Sequence, residues 1–156
     1  MRIDRSHPLY PGECRLRERV LLNSVGYDID SFQKAYPGFE ERFEHFVAVA
    51  ERPSGDPEVI GCALLLPNEP HVGSGKLMQM AVDPQRQGEG IGRQLVVAVE
   101  GRAFGDLGLV ELFCHAQASA VAFYDRLGWT VLGDRFNEAG LEHAKMVIAA
   151  DTQAIT

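Results

Sequence analysis

The residues best suited to chemistry in this chain are a run of glycines. Gln87, Gly88, Glu89, Gly90, Ile91 and Gly92 join an apolar segment, KLMQMAV, to an amphipathic one, IGRQLVVAVE. A loop that leads from a strand into a helix presents backbone N–H groups with no intrahelical partner. The helix dipole adds partial positive charge there, so an anion is the natural ligand. Glycine lets a phosphate approach the backbone without meeting a side chain. Three glycines in five residues exceed what a plain turn requires, and glycine weakens a helix by up to ~1 kcal/mol per interior site. A nucleoside triphosphate is disfavoured, because no Gly-Lys-Ser/Thr occurs. A dinucleotide is disfavoured too, since the last glycine of GxGxxG would fall on Arg93 or Leu95.

The elements that must position this loop follow from periodicity. Residues 14–22 (CRLRERVLL) carry Leu16 and Val20 at helical spacing and predict a first helix. Residues 27–44 read as a loop with a short second helix. Residues 45–51 (HFVAVAE) alternate as a strand, and RPSGDPE is a turn. Residues 59–66 (VIGCALLL) form a nearly continuous apolar run, which suits a strand covered on both faces. Residues 76–82 are a third strand, ended by Asp83 and Pro84. From residue 90 to 104, Ile91, Leu95, Val96, Ala98, Val99 and Ala103 make one apolar helical stripe. Residues 109–115 (LVELFCH) are a strand. Residues 119–127 predict a short helix, with Ser119 as N-cap and Gly128 as the terminal glycine. Residues 129–132 and 144–148 read as a last strand pair around a long loop. Hairpins plus a strand–helix–strand crossover predict an α/β (α+β) fold with a mixed sheet.

Composition bounds the class. The 156 residues fit one domain; 46% are hydrophobic and 24% charged, which is not a disordered composition. The net charge is −7, from 15 basic and 22 acidic residues, and no Lys/Arg run occurs. Nucleic acid, which requires a basic surface, is therefore not an expected partner. No apolar run is long enough to span a membrane and the N-terminus lacks a signal-like apolar stretch, so a cytoplasmic location is expected. Cys14, Cys62 and Cys114 form no CxxC pair and read as small buried hydrophobes. His7, His45, His71, His115 and His143 show no ligand spacing, and no metal is expected. Asp28, Asp30, Glu40, Glu41 and Glu44 cluster near the N-terminus; a cationic acceptor and a solvated acidic surface both fit them.

The chain resembles the GCN5-related N-acetyltransferase (GNAT) superfamily, and a bacterial subgroup within it. Gln87, Gly90 and Gly92 fall on that family's Gln/Arg-x-x-Gly-x-Gly/Ala signature at a strand-to-helix turn. AVAFYDRLGW (residues 120–129) resembles its second motif, with Tyr124 in the tyrosine position, and GLEHAKMVI resembles the subgroup's tail. The likeness covers residues 45–148. It implies a mixed sheet whose central strands splay apart to admit acetyl-CoA, flanked by helices. Residues 1–44 would then be acceptor-side helices in one domain spanning 1–156. The resemblance places the pantetheine arm against the backbone of Met80, Ala81 and Val82. It places the pyrophosphate on the amides of Gln87, Gly88, Glu89, Gly90, Ile91 and Gly92, with Arg93. Gln117 stands seven residues before the tyrosine, where many members carry Asn, and is counted with Tyr124 among the coenzyme contacts.

Acyl transfer from a thioester to an amine needs a deprotonated amine, donors for the tetrahedral oxyanion, and an acid for the thiolate. The resemblance gives the acid role to Tyr124, a phenol that stays protonated at neutral pH. As an isolated residue Tyr124 reads rather as a core aromatic on an amphipathic helix. His115, His143, Glu138, Glu111 or an ordered water could serve as base; His115 lies at the strand end where the sheet should open. The resemblance implies an acetyl-CoA-dependent N-acetyltransferase acting on a primary amine of a small molecule or peptide. A noncatalytic acyl-CoA-binding regulatory domain on the same fold is the alternative. Oligomeric state is left open, a homodimer included.

Overall fold

The computed structural model describes residues 1–151. Its eight strands form one open mixed sheet. They are β1 (Arg2–Ile3), β2 (Glu44–Glu51), β3 (Pro57–Pro67), β4 (Ser74–Val82), β5 (Glu111–Gln117), β6 (Thr130–Val131), β7 (Phe136–Glu138) and β8 (Leu141–Ala149). Their order is β1-β2-β3-β4-β5-β8-β6, with β7 also on β8. β4 and β5 run parallel, and the other neighbours are antiparallel.

The continuous apolar run behaves as expected: β3 is buried from Val59 to Leu66. Burying each such leucine contributes ~1.5–3 kcal/mol relative to exposure. One face of the sheet carries α4 (Ile91–Glu100) and α5 (Val121–Arg126), whose Leu95, Val96, Val99 and Tyr124 pack with Leu65, Leu77, Leu112 and Met146. The other face carries α1 (Tyr10–Arg17), α2 (Ile29–Ala35) and α3 (Phe39–Arg42), over Cys62, Leu64, Leu66 and Met78.

Several expected boundaries move. α1 begins at Tyr10, because Pro11 fits a helix's first turn. It continues as a wider π-type turn over Glu18–Leu22 and a 3₁₀ turn over Asn23–Val25. Residues 27–44 hold two helices, the first started by a capping box between Asp28 and Ser31. Ser119 does not cap α5. It sits inside a 3₁₀ turn over Ala118–Ala120, and Ala120 occupies the cap without a side-chain bond. The expected long loop is a hairpin: Phe136–Glu138 pairs with β8 around Ala139 and Gly140, both at positive φ. β1 has two residues, too few to show a period.

Candidate active site

The sheet opens between β4 and β5. Their ladder holds at Ser74 with Glu111, Gly75 with Leu112 and Lys76 with Phe113, and goes no further. From Leu77 to Val82 the edge of β4 that faces β5 has no strand on it. Against β3 the register shifts between Cys62, opposite Ala81, and Leu64, opposite Met78. Gln79 and Met80 therefore share one partner position, which is a bulge. Gln79 is at φ +46°, a conformation that costs a non-glycine residue ~1–3 kcal/mol and persists only where neighbours impose it. Arg17 is one such neighbour: its Nε donates to Gln79 Oε1 at 2.8 Å. The Cys62 thiol adds a contact of 3.7 Å to the Gln79 carbonyl. The resulting cleft has a volume of ≈ 520 Å³. Gln79, Met80, Gln87, His115, Gln117 and Tyr124 are among the residues that line it.

The glycine loop lies at the end of this opening. After β4, Asp83 accepts the Gln85 amide and starts a 3₁₀ turn. Gly88 and Gly90 follow at φ +89° and +82°, and α4 starts directly after Gly90. The first bond of α4 runs from the Gln94 amide to the Gly90 carbonyl. The amides of Gly88, Glu89, Gly90, Ile91, Gly92 and Arg93 lie before it, as an anion site requires. A Cβ at Gly90 would enter open space. Gly92 differs: a Cβ there would come within 3.3 Å of the Phe123 ring, so its smallness lets α5 lie against α4. The carboxylate of Glu89 would repel an anion, and the Arg86 guanidinium stands 3.5 Å from it.

Tyr124 is buried on α5, against Phe123 and Trp129, and faces the Cys114 thiol of β5. Burial raises its hydroxyl well above the ordinary tyrosine range, and the Cys114 contact adds to the effect. Burial also pushes the Cys114 thiol up to about 12. Both groups thus hold their protons at neutral pH.

The structure gathers three of the four base candidates. His115 Nδ1 is 3.0 Å from Glu138 Oε1, and His143 Nε2 is 3.6 Å from Glu138 Oε2. His143 Nδ1 lies 2.8 Å from the Leu141 carbonyl, which fixes Nδ1 as a donor. The β7–β8 hairpin brings Glu138 to this place. Glu111 does not join them: it pairs with Ser74 and Ala149 at the closed end of the opening, 4.0 Å from His71.

One group of functional weight was not read from the sequence. Glu13, Arg17, Glu40 and His45 are all essentially fully buried. Arg17 Nη1 is 2.7 Å from Glu40 Oε1 and 3.3 Å from Glu13 Oε2, and His45 Nδ1 is 2.8 Å from Glu13 Oε2. Tyr10 donates its hydroxyl to Glu40 at 2.7 Å. Burial opposes the Arg17 charge, but Glu40 and Glu13 outweigh it and raise the group above its ordinary value. The Glu13–Arg17 spacing of one helical turn was the available signal. Among the described residues, Glu13, Glu40 and His45 also have ligand atoms close enough to share a metal, within 4.8 Å. The Arg17 guanidinium already bridges both carboxylates, so a cation would compete with it.

The N-terminal acids accordingly have local partners. Glu40 takes Arg17, Glu41 lies 3.5 Å from Arg5, and Glu44 binds Arg2 and Arg102. Asp28 caps α2, and Asp30 lies 2.9 Å from Lys34. That cluster no longer motivates a cationic acceptor.

Comparison with known proteins bears on the fold and the family. The chain is 34% identical over 76 residues to the uncharacterised N-acetyltransferase YjcF of Bacillus subtilis. That match covers 48% of this chain and spans only about half, 54%, of the relative. A crystal structure of a putative N-acetyltransferase from Lactobacillus plantarum superposes with a TM-score of 0.73 at 22% identity, over 96% of this chain and 97% of that one. An aminoglycoside 6'-N-acetyltransferase solved with coenzyme A gives 0.71 at 16% identity, over 96% and 95%. At these identities the solved structures show the fold alone. Among the described residues, no helix is long and apolar enough to cross a membrane. Residues 28–150 match the family described as "Acetyltransferase (GNAT) domain". That match spans well over half of the chain, which therefore belongs to the GNAT acetyltransferase family.

Proposed function

We propose that this protein transfers an acetyl group from acetyl-CoA directly to a primary amine of a small molecule. The observation that carries this reading is the ladder break after Lys76 and Phe113, with the glycine loop at the end of the opening. The relative solved with coenzyme A supports the cosubstrate. On this reading the pantetheine amides pair with the free edge of β4 at Met80, Ala81 and Val82. The pyrophosphate takes amides from Gln87 to Arg93. Residues 1–44 form the acceptor side and residues 45–148 hold the coenzyme.

The amine reacts neutral, so its proton must leave. His115, held at 3.0 Å by Glu138, takes it directly or through water. The amine nitrogen then attacks the thioester carbonyl, forming a C–N bond. The tetrahedral oxyanion accepts hydrogen bonds from backbone N–H groups at the β4 bulge. As the C–S bond breaks, the thiolate takes a proton from Tyr124, which is later restored from solvent. Gln117 lies at the β5 end of the cleft, beside the departing coenzyme.

A screen of amines with purified protein and acetyl-CoA tests the reading. CoA should be released with at least one amine. Tyr124→Phe should cut kcat ~10²–10⁴-fold with acetyl-CoA affinity kept. Acetyl-CoA binding without turnover on any amine would favour a noncatalytic regulatory domain instead.

A further inference from the structure

Two cations without a salt-bridge partner among the described residues flank Phe113, Lys76 on the wall of the cleft and Lys145 on the neighbouring strand β8. Lys76 faces Phe113 across the parallel β4–β5 ladder, and Lys145 faces His115 across the antiparallel β5–β8 ladder. Residues 113 and 115 point to the same side of β5, so all four side chains share one face. Lys145 Nζ lies 4.8 Å from the centre of the Phe113 ring, and Lys76 Nζ lies 5.9 Å from it. Two ammonium groups thus converge on one ring. Both lysines are half-buried, and among the described residues no carboxylate comes within salt-bridge distance of either. Glu138, which lines the cleft, faces His115 and His143. Lys76 and His115 both line the cleft, so the cationic patch adjoins the proposed base.

Like charges brought together at a partly desolvated site repel unless an anion joins them. We infer that the acceptor amine also carries a carboxylate, seated between Lys76 and Lys145, while its amino group reaches His115. The substrate class is therefore an amino acid or a similar amine-carboxylate rather than a polyamine. This deepens the proposed acetyl transfer and rests on it. The apolar side chains of Leu21, Leu22 and Val25, across the cleft, complete the acceptor's surroundings.

The test uses α-, β- and γ-amino acids, each paired with its own carboxamide, and a diamine as the cationic comparison. The carboxamide's amine is the less basic of each pair, so any bias from amine ionisation runs against the acid. A charge-assisted contact should still favour one acid over its amide about tenfold or more in kcat/KM. Lys76→Gln with Lys145→Gln should raise KM for that acid and abolish the preference. KM for acetyl-CoA and the melting temperature should stay at parental values, and Lys145→Arg should restore part of the preference. A preference for the amide or the diamine, or one that survives both substitutions, overturns the inference while leaving acetyl transfer intact. If no amine releases CoA, the transfer reading fails, and calorimetric titration of the same amino acids decides separately. Binding lost in the double variant sustains the carboxylate site, and no binding to the parent protein overturns it.

Discussion

The helices of residues 1–44 and the wall formed by β4, β5 and β8 treat charge in opposite ways. On the helical side, Arg17, Glu13, Glu40 and His45 are buried together and answer one another. On the wall, Lys76 and Lys145 stand half-exposed beside an aromatic ring, with no salt-bridged acid among the described residues. The sequence alone suggested the reverse emphasis, since its acids cluster in the N-terminal part. A charge that already has a partner holds the fold, whereas one left without a partner beside a cleft is available to a ligand. Which case applies depends on pairing in space, which a residue count does not contain.

The largest expected effect lies in the buried group. Arg17→Met would leave two carboxylates facing each other away from water. Breaking such a pair from one side costs ~3–5 kcal/mol. Urea unfolding measures it, and a loss under ~1 kcal/mol would show that solvent reaches the network. Gln79 would also lose the guanidinium that holds its side chain at the bulge, so any folded Arg17→Met protein should turn over more slowly.

Acid should act on the same group more gradually. Burial alone would raise the Glu40 carboxyl, but bonds to Arg17 and Tyr10 outweigh it and hold the group below its ordinary value. A carboxyl depressed in the folded state adds stability that is complete above its unfolded pKa. That stability is lost as pH falls through the folded value. Unfolding midpoints should therefore drop below ~pH 4.5, the ordinary carboxylate range. Glu40→Gln should flatten that part of the profile. The smallest effect is expected on the wall: Lys76→Gln should change stability by no more than ~0.5 kcal/mol, because it breaks no salt bridge among the described residues and only a long contact of 5.9 Å to the Phe113 ring.

Much of the fold could be read from local pattern. β3 announced itself as an uninterrupted apolar run, α4 as a stripe of 3.6 period, and the loop between β4 and α4 by its glycines. The elements that were missed lack such a period. β1 has two residues, and β7 has three that pair only because Ala139 and Gly140 turn the chain back. Ser119 looked like a cap, yet the chain enters α5 through a 3₁₀ turn that leaves its hydroxyl uninvolved. Within the site, the gathering of His115, Glu138 and His143 was invisible because a hairpin makes it. The bulge at Gln79 was invisible because Arg17, 62 residues away in the chain, supports it. Gly92 was assigned to the coenzyme by its motif position, whereas its contact with Phe123 gives it a packing reason as well.

The central claim, that the loop from Gln87 to Gly92 holds the pyrophosphate of acetyl-CoA, is most directly tested at Gly90. The residue sits at φ +82° with open space where a side chain would go. Asn and Asp both tolerate this conformation and differ there in charge alone, so Gly90→Asn and Gly90→Asp form a matched pair. Calorimetric titration with acetyl-CoA should show Asp weaker than Asn by about tenfold or more, a gap that narrows with added salt. Equal affinities in the two folded variants, or no binding to the parent protein, would contradict the assignment.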